Sequence, residues 1–497
     1  MSPQSYIYTS GYNTPDSELE SVVPIHPTAV RRPEYIKVNS ENTTYTDEHI
    51  TAKYFYRGAD VVIADGQFDV TPTVKQFEFQ TTRKVGKTGY VQPLHFFFLQ
   101  PLMNYHRLMM IGMGGNNGST LCATILANKQ CISWYTKDGI QQPNYIGSVL
   151  RASTVRIGSD PKTSKEIHVP ICDVLPMVHP NDLVLGGWDI SSAPMDKAME
   201  RARVLDYDLQ RQVKPHMTLL GSPLPSIYYP DFIAANQEAR ADNVIPGTDK
   251  QAHLEHIRAD IRRFKAENQL DRVVVFWTAN TERYSDIIPG VNDTADNLLA
   301  SIRSSHSEVS PSTLFAVAAI LEGEPFVNGA PQNTFVPGVL DLAEREKSFI
   351  GGDDLKSGQT KLKSVLAEFL VNAGIKPLSI ASYNHLGNND GHNLSAEPQF
   401  KSKEISKSSV VDDMVEANRL LYKPPAPGAK GKAAKGEHPD HIVVIKYVPA
   451  VGDSKRAIDE YYSEIFCGGR QTINIFNECE VRMPHYIASS GFLCFSV

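Results

Sequence analysis

Between about residues 51 and 100 apolar positions alternate with polar ones, as at Val74, Phe77 and Phe79 in TVKQFEFQTT, and Asp65-Gly66 supplies a turn signal. This stretch reads as β-strand. From residue 107 the pattern becomes an apolar strand, a glycine-rich turn and a helix, in RLMMIGMGGNNGSTLCATILANK. RVVVFWTAN, at 272–280, has the continuous apolar character of a strand covered on both faces. TADNLLASIRSS and STLFAVAAILEG show helical spacing. KLKSVLAEFLVNAGIKPLSIASYNHL reads as a helix stopped at Gly374, then a strand. Residues 1–50 form an irregular leader, and the Pro/Gly/Ala/Lys-rich 423–440 a surface loop. Alternating strands and helices without a fixed repeat predict an α/β protein.

Composition narrows the class. The chain has 497 residues, room for two to four domains, with 41% hydrophobic and 21% charged residues, as in globular proteins. Its net charge of −7 has the wrong sign for a dedicated binder of nucleic acid or anionic membrane. LHFFFL and LFAVAAIL are too short to span a bilayer, and the first residues lack the pattern of a secretory signal. Six cysteines without CxxC spacing read as reduced thiols, so a cytoplasmic protein is expected.

Candidate chemistry starts at IGMGGNNGST, where Gly112, Gly114, Gly115 and Gly118 join a strand to a helix. Glycines there let backbone N–H groups approach a pyrophosphate, whose charge a helix N-terminus stabilises. The spacing is GxGxxxG rather than GxGxxG; a plain tight turn is the competing explanation. Asp189 in GGWDIS is an acidic candidate for a ribose, or else a helix N-cap. In SKEISKSS, Lys403 and Lys407 are four apart and share a face if helical, as would suit a solvated surface or a cationic site. His438 and His441 in HPDH lack the partners of a zinc site.

GMGGNNGST, GGWDIS, PSIYYPDFIAANQEARADN, WTANTERY, NGAPQNTFVPG, GGDDLKSGQTKLKSVL, SYNHLGNNDGHNLS, SKEISKSSVVDD and VGDSKRAIDEYYSEI together resemble the eukaryotic inositol-3-phosphate (myo-inositol-1-phosphate) synthase family, from about residue 50 to Glu480. The resemblance implies an NAD-dependent cyclisation of glucose 6-phosphate to 1D-myo-inositol 3-phosphate with no net redox change. It also implies a Rossmann-like NAD-binding domain plus a second α/β catalytic and tetramerisation domain with an open sheet, in a homotetramer. On this chain the parts would be a leader with central strands at 1–104, the NAD-binding domain at 105–360, the catalytic domain at 361–480 and a divergent tail at 481–497.

The same resemblance assigns residues. NAD would be held by Gly114, Gly115, Asn116, Asn117 and Asp189, then by Ser226, Ile227, Gln237 and Arg240. Thr278, Ala279, Asn280, Thr281, Gly329 and Ala330 follow. Asp354, Ser357, Asn388, Asn389, Asp390, Lys403, Gly452 and Asp453 complete that set. The phosphate would meet Ser357, Gly358, Gln359, Thr360 and Lys407. Lys403, beside the redox carbon, Lys455, at the enolisation and aldol steps, Lys407 and Asp354 would be catalytic. Without the resemblance, the SGQT stretch is a capped helix start, and the Asn/Asp positions are turn formers.

After FNECE the chain reads VRMPHYIASSGFLCFSV and departs from the family, with Val481 where an aspartate is expected and no counterpart for a lysine of the family's tail. This departure predicts weak stability and weak or absent activity, points to an error at the 3′ end of the coding sequence, and leaves an inactive NAD- or sugar-phosphate-binding relic as the alternative.

Overall fold

The computed structural model describes residues 40–46, 49–64, 67–82, 106–174, 179–270, 272–355, 358–428 and 436–480. Residues 1–39 of the leader expected over 1–50, the turn at Asp65-Gly66 and the tail from Val481 lie outside them. The rest of that leader is not irregular, since strand occupies Thr43–Tyr45 and begins again at His49. Two units are distinguished, Val30–Asn104 and the remainder. Within the first, β1 (Thr43–Tyr45), β2 (His49–Ala64) and β3 (Gln67–Thr82) form an antiparallel sheet. Tyr54, Tyr56, Phe68, Val70 and Val74 are exposed on it.

In the second unit β4 (His106–Ile111) leads through the glycine turn into α1 (Asn116–Lys129). Two hairpins follow, β5 (Trp134–Thr136) with β6 (Gly139–Gln141), and β7 (Thr154–Ser159) with β8 (Glu166–Pro170). Short helices α2 (Val149–Ala152) and α3 (Ile171–Val174) flank the second hairpin. Then come β9 (Val184–Asp189), α4 (Met195–Ala202), α5 (Tyr207–Leu219), β10 (Leu224–Pro225), α6 (Lys250–Glu267) and β11 (Arg272–Trp277). Helices α7 (Ala295–Arg303) and α8 (Pro311–Leu321), β12 (Phe326–Asn328), α9 (Pro337–Glu346) and β13 (Ile350–Gly351) complete this half.

These strands make a parallel sheet in the order β10-β9-β4-β11-β12-β13. That is the doubly wound dinucleotide-binding order, with its switch point between β4 and β11. The unbroken apolar runs are explained by cover on both faces. Met109, Ile111, Val273, Val275 and Trp277 pack against α6 to α9, whereas Leu108, Met110, Val274 and Phe276 pack against α1, α4 and α5. Local chemistry starts the helices where the sequence predicts. Thr294 caps α7 through Asn297 N, and Ser310 caps α8 through Thr313 N with Pro311 at its first position.

A second sheet follows. Helix α10 (Gly358–Asn372) ends before Gly374, whose φ of +75° suits a left-handed stop. Strand β14 (Lys376–Leu386), α11 (Asn389–Asn393), α12 (Glu397–Glu416), β15 (Asp440–Tyr447), β16 (Ser454–Ile465) and β17 (Gly469–Glu480) come next. The sheet order is β15-β14-β16-β17; β15 is parallel to β14, and the other pairs are antiparallel. Leu370, Val371, Val411, Val415 and Tyr461 form the core beneath α10 and α12. Away from those helices, Tyr383, Ile458 and Phe476 stand in register across three strands, each about half exposed or more.

Candidate active site

At the switch point backbone geometry demands small residues. Gly112 has φ +84°, and a Cβ on it would lie 2.5 Å from the Ala279 Cα; one on Gly118 would lie 2.4 Å from the Met113 carbonyl oxygen. This lets the turn close tightly on the start of α1, leaving helix N–H groups free to face an anion. Asp189 ends β9, buried, with Oδ2 accepting from Gly114 N at 2.9 Å and Oδ1 accepting from Ser191 N at 2.9 Å. It caps no helix, since α4 begins only at Met195. Burial raises its pKa, opposed by the Ser191 N–H, by Arg240 and Arg201 and by the Gly114 N–H.

A cleft opens here. Gly115, Asn116, Asn117, Asp189, Ser226 and Ile227 line one part of it. Arg240, Thr278, Ala279, Asn280 and the segment Asn388, Asn389 and Asp390 line the rest. Ile190, Ile233 and Trp277 also line it, apolar positions whose local patterns mark only strand ends and core. Arg240 Nε is buried without a hydrogen-bond partner. A glycine cradle, a carboxylate at the end of the second strand and a guanidinium whose Nε lacks a partner fit a dinucleotide with its ribose and pyrophosphate.

Other expected positions stand beside the cleft. Gln237 is buried, its Oε1 accepting from Asn389 Nδ2 at 3.0 Å and Arg240 Nη1 at 3.1 Å. The Thr281 carbonyl accepts from Asn393 Nδ2 at 2.9 Å. Gly329 follows β12, with its N–H on the Trp277 carbonyl, and the Ala330 carbonyl accepts from Asp354 N at 2.9 Å. Gly452 and Asp453 form the turn before β16, where Asp453 Oδ1 accepts from Asn388 Nδ2 at 3.3 Å. Asn388 to Asp390 are not an open turn: Asn388 caps α11 by accepting from Gly391 N.

The second sheet's helices bring lysines to this region. Lys403 Nζ donates to Asp354 Oδ2 at 2.9 Å, and Ser406 Oγ donates to the same oxygen at 2.7 Å. Burial lowers the Lys403 pKa, but the Asp354 charge and hydrogen bond outweigh it, with Asp390 adding to them, so the net shift is upward. Asp390 is open to solvent on the cleft side and crowded by protein elsewhere; burial raises its pKa, while Lys403 and Lys455 pull it back.

Lys407 is fully buried on α12, its Nζ 3.5 Å from Asn384 Oδ1. Lys455 lies opposite Leu386 on β16. Burial pushes the Lys407 ammonium well below the usual lysine range, and Lys455, Lys363 and Lys403 push further. Lys401, six residues before Lys407, is solvated and salt-bridged to Glu404 at 2.9 Å. The solvated-face expectation therefore holds for Lys401 and fails for Lys407. Thr360 is buried in the first turn of α10, which Gly358 opens, whereas Ser357 and the side chain of Gln359 lie outside the described residues. Lys363, buried beside Lys407, received no role from the sequence. Its spacing of three from Thr360 was the available signal.

Among the described residues no group of three or more His, Cys, Asp and Glu could hold a metal ion. Nor is any helix among them long and apolar enough to cross a membrane.

A family model described as Myo-inositol-1-phosphate synthase matches residues 106–445. The inositol-3-phosphate synthase of Dictyostelium discoideum is 54% identical over 447 residues, covering 90% of this chain and 81% of that protein. The Saccharomyces cerevisiae enzyme is 53% identical over 455 residues, covering 90% and 80%. The crystal structure of the Caenorhabditis elegans inositol-3-phosphate synthase superposes with a TM-score of 0.82 at 49% identity, covering 93% of this chain and 84% of that one. On this extent of agreement in sequence and fold, the chain belongs to the myo-inositol-1-phosphate synthase family.

Proposed function

We propose that this protein converts glucose 6-phosphate to 1D-myo-inositol 3-phosphate, using NAD held in the cleft between β4 and β11. The observation that carries it is the meeting of two halves: Asp390 and Asn389 of α11 line the dinucleotide cleft, while Lys403, Lys407 and Lys455 gather on the adjoining helix and strand. Family membership at this identity favours the working enzyme over the inactive relic.

NAD held in the cleft would supply reversible hydride transfer, which keeps the conversion redox-neutral. Lys403, an ammonium paired with Asp354, is read as stabilising the oxygen of the hydroxyl being oxidised, while the Asp354 carboxylate takes up its proton. Lys455 stabilises negative charge as the enolate forms, as an ammonium does beside an oxyanion. Lys407 with Thr360 and the start of α10 binds the phosphate, a helix N-terminus being favourable for an anion. The apolar wall of Trp277, Ile190 and Ile233 limits water in the cleft.

The site residues assigned above are part of this proposal, as are a dinucleotide domain at 105–360 and a catalytic domain at 361–480. A homotetramer is supported by the apolar row of Tyr383, Ile458 and Phe476, which one protomer leaves uncovered. Cytoplasmic residence is supported by the free thiols of Cys122, Cys131 and Cys467. The deciding experiment incubates purified protein with glucose 6-phosphate and NAD. Inositol phosphate should accumulate without net growth of NADH absorbance. Steady NADH release would indicate an ordinary dehydrogenase, and absence of product from folded, NAD-binding protein would favour the relic.

A further inference from the structure

Lys363 belongs to α10 and is 1% exposed, as is Lys407 on α12. Its Nζ donates to Ser382 Oγ of β14 and lies 3.2 Å from His441 Nε2 of β15. The other ring nitrogen of His441, Nδ1, lies 3.1 Å from Ser408 Oγ of α12. Ser382 and Asn384 alternate along β14 with Asp459 and Ala457 opposite them on β16, and Lys455 lies opposite Leu386 two positions on. The period of two puts these side chains on one face. Every element packed here contributes: Lys363 from α10, Lys403 and Lys407 from α12, His441 from β15, and Lys455 and Asp459 from β16. Asp354 and Asp390 approach from the cleft side.

The carboxylates do not match the cations. Asp354 is engaged by Lys403. Asp459 is the buried carboxylate that acts on both Lys363 and Lys407. An ammonium in a dry interior without a full counter-charge gives up its proton more readily than one in water. Burial pushes Lys363 down to about 8, with Lys455 adding and Asp459 opposing. A phosphate dianion would supply the missing negative charge.

We propose, resting on the phosphate role given to Lys407 above, that Lys363 is a positioning residue that, together with burial and Lys455, keeps Lys407 short of a proton until a phosphate dianion arrives, so that binding draws a proton into the site. The balance is simple: a solvent proton forms a new N–H bond on the Lys407 amine, and nothing is oxidised or reduced. The site then discriminates in favour of a dianionic phosphate monoester over an uncharged sugar, because only the dianion offsets the cost of charging a second buried amine.

The test is calorimetric titration of the NAD-loaded full chain with inorganic phosphate near pH 7, where Lys363 is largely charged, in buffers of different ionisation enthalpy. Uptake approaching roughly one proton per bound phosphate, beyond any taken up by phosphate itself, is expected. In Lys363→Met, Lys407 loses one of its neighbouring cations, so a larger fraction of it carries the proton beforehand. Uptake should fall by about half or more while phosphate still binds. Should Lys363→Met not fold, Lys363→Gln serves the same purpose, and absence of uptake in the unaltered protein already overturns the proposal. Binding without proton uptake, or uptake unchanged in the folded variant, would overturn the proposal and leave the functional assignment standing. No phosphate binding by NAD-loaded protein would overturn both.

Discussion

Lys403 Nζ lies 2.9 Å from Asp354 Oδ2 and 3.1 Å from Oδ1, an ion pair joining α12 of the second sheet to the loop that follows β13 of the first. This contact fixes the Lys403 ammonium and its carboxylate partner relative to the dinucleotide cleft. Replacing Lys403 by Met should lower turnover about 10²- to 10⁴-fold, the range for loss of a positioned acid or base. Product formation measures it, with NAD binding as the control for folding. Turnover within a few-fold of normal would remove Lys403 from the chemistry.

Asp189 joins the glycine turn to the end of β9 through two backbone N–H groups. Hydrogen bonds to a charged group contribute about 1.5–3 kcal/mol each, so losing one to a ribose in Asp189→Ala should weaken NAD binding about tenfold to a hundredfold. Fluorescence titration reads the change directly, and an unaltered affinity would place the ribose elsewhere.

Glu282 is buried, with Oε2 accepting from Ser312 Oγ at 2.6 Å and Oε1 from Ser312 N at 3.1 Å. Burial outweighs these bonds and raises its pKa from 4.5 to about 7. The folded protein therefore holds a proton that the unfolded chain has released between these values. Glu282 contributes stability that is fully present below pH 4.5 and is lost as the pH rises through about 7. Glu282→Gln should show a smaller drop in melting temperature from pH 5 to pH 8. Parallel curves for the two proteins would count against this origin.

Phe315 meets Trp188 at 5.1 Å and Trp277 at 6.2 Å between ring centroids, both edge-on, in the core above the parallel sheet. Truncating a buried aromatic costs about 3–5 kcal/mol. Phe315→Ala should therefore lower the denaturant midpoint substantially, and a shift within error would mean the neighbouring helices collapse to fill the space.

The row Tyr383, Ile458 and Phe476 offers a direct test of assembly. A glutamate at Ile458 would bring a charge to a face proposed to be covered by another copy, and light scattering should then report smaller oligomers at unchanged circular dichroism. An unchanged mass would move the interface away from this sheet.

Much of this was readable along the chain because it is local. The apolar run at 107–111, the glycines after it, the cap at Thr294, Ser310-Pro311 and the stop at Gly374 each act within a turn or a strand, and each occurs where its residues predict. Lys401, Lys403 and Lys407 show where this ends. Local spacing places Lys403 and Lys407 on one helical face but does not say which lysine is surrounded by protein. Burial of Lys407 depends on β14 and β16, and that of Lys363 on β14 and β15, so both follow from long-range packing.

The amino-acid sequence by itself determined the elements, the dinucleotide turn and the family, since periodicity, glycine placement and long motifs are properties of neighbouring residues. Only the tertiary structure decided that α11 closes on the cleft, that Lys403 pairs with Asp354, and that two buried lysines share the influence of Asp459. The reason is electrostatic: a charge is set by everything within a few ångströms of it, and here those groups come from segments up to about a hundred residues apart.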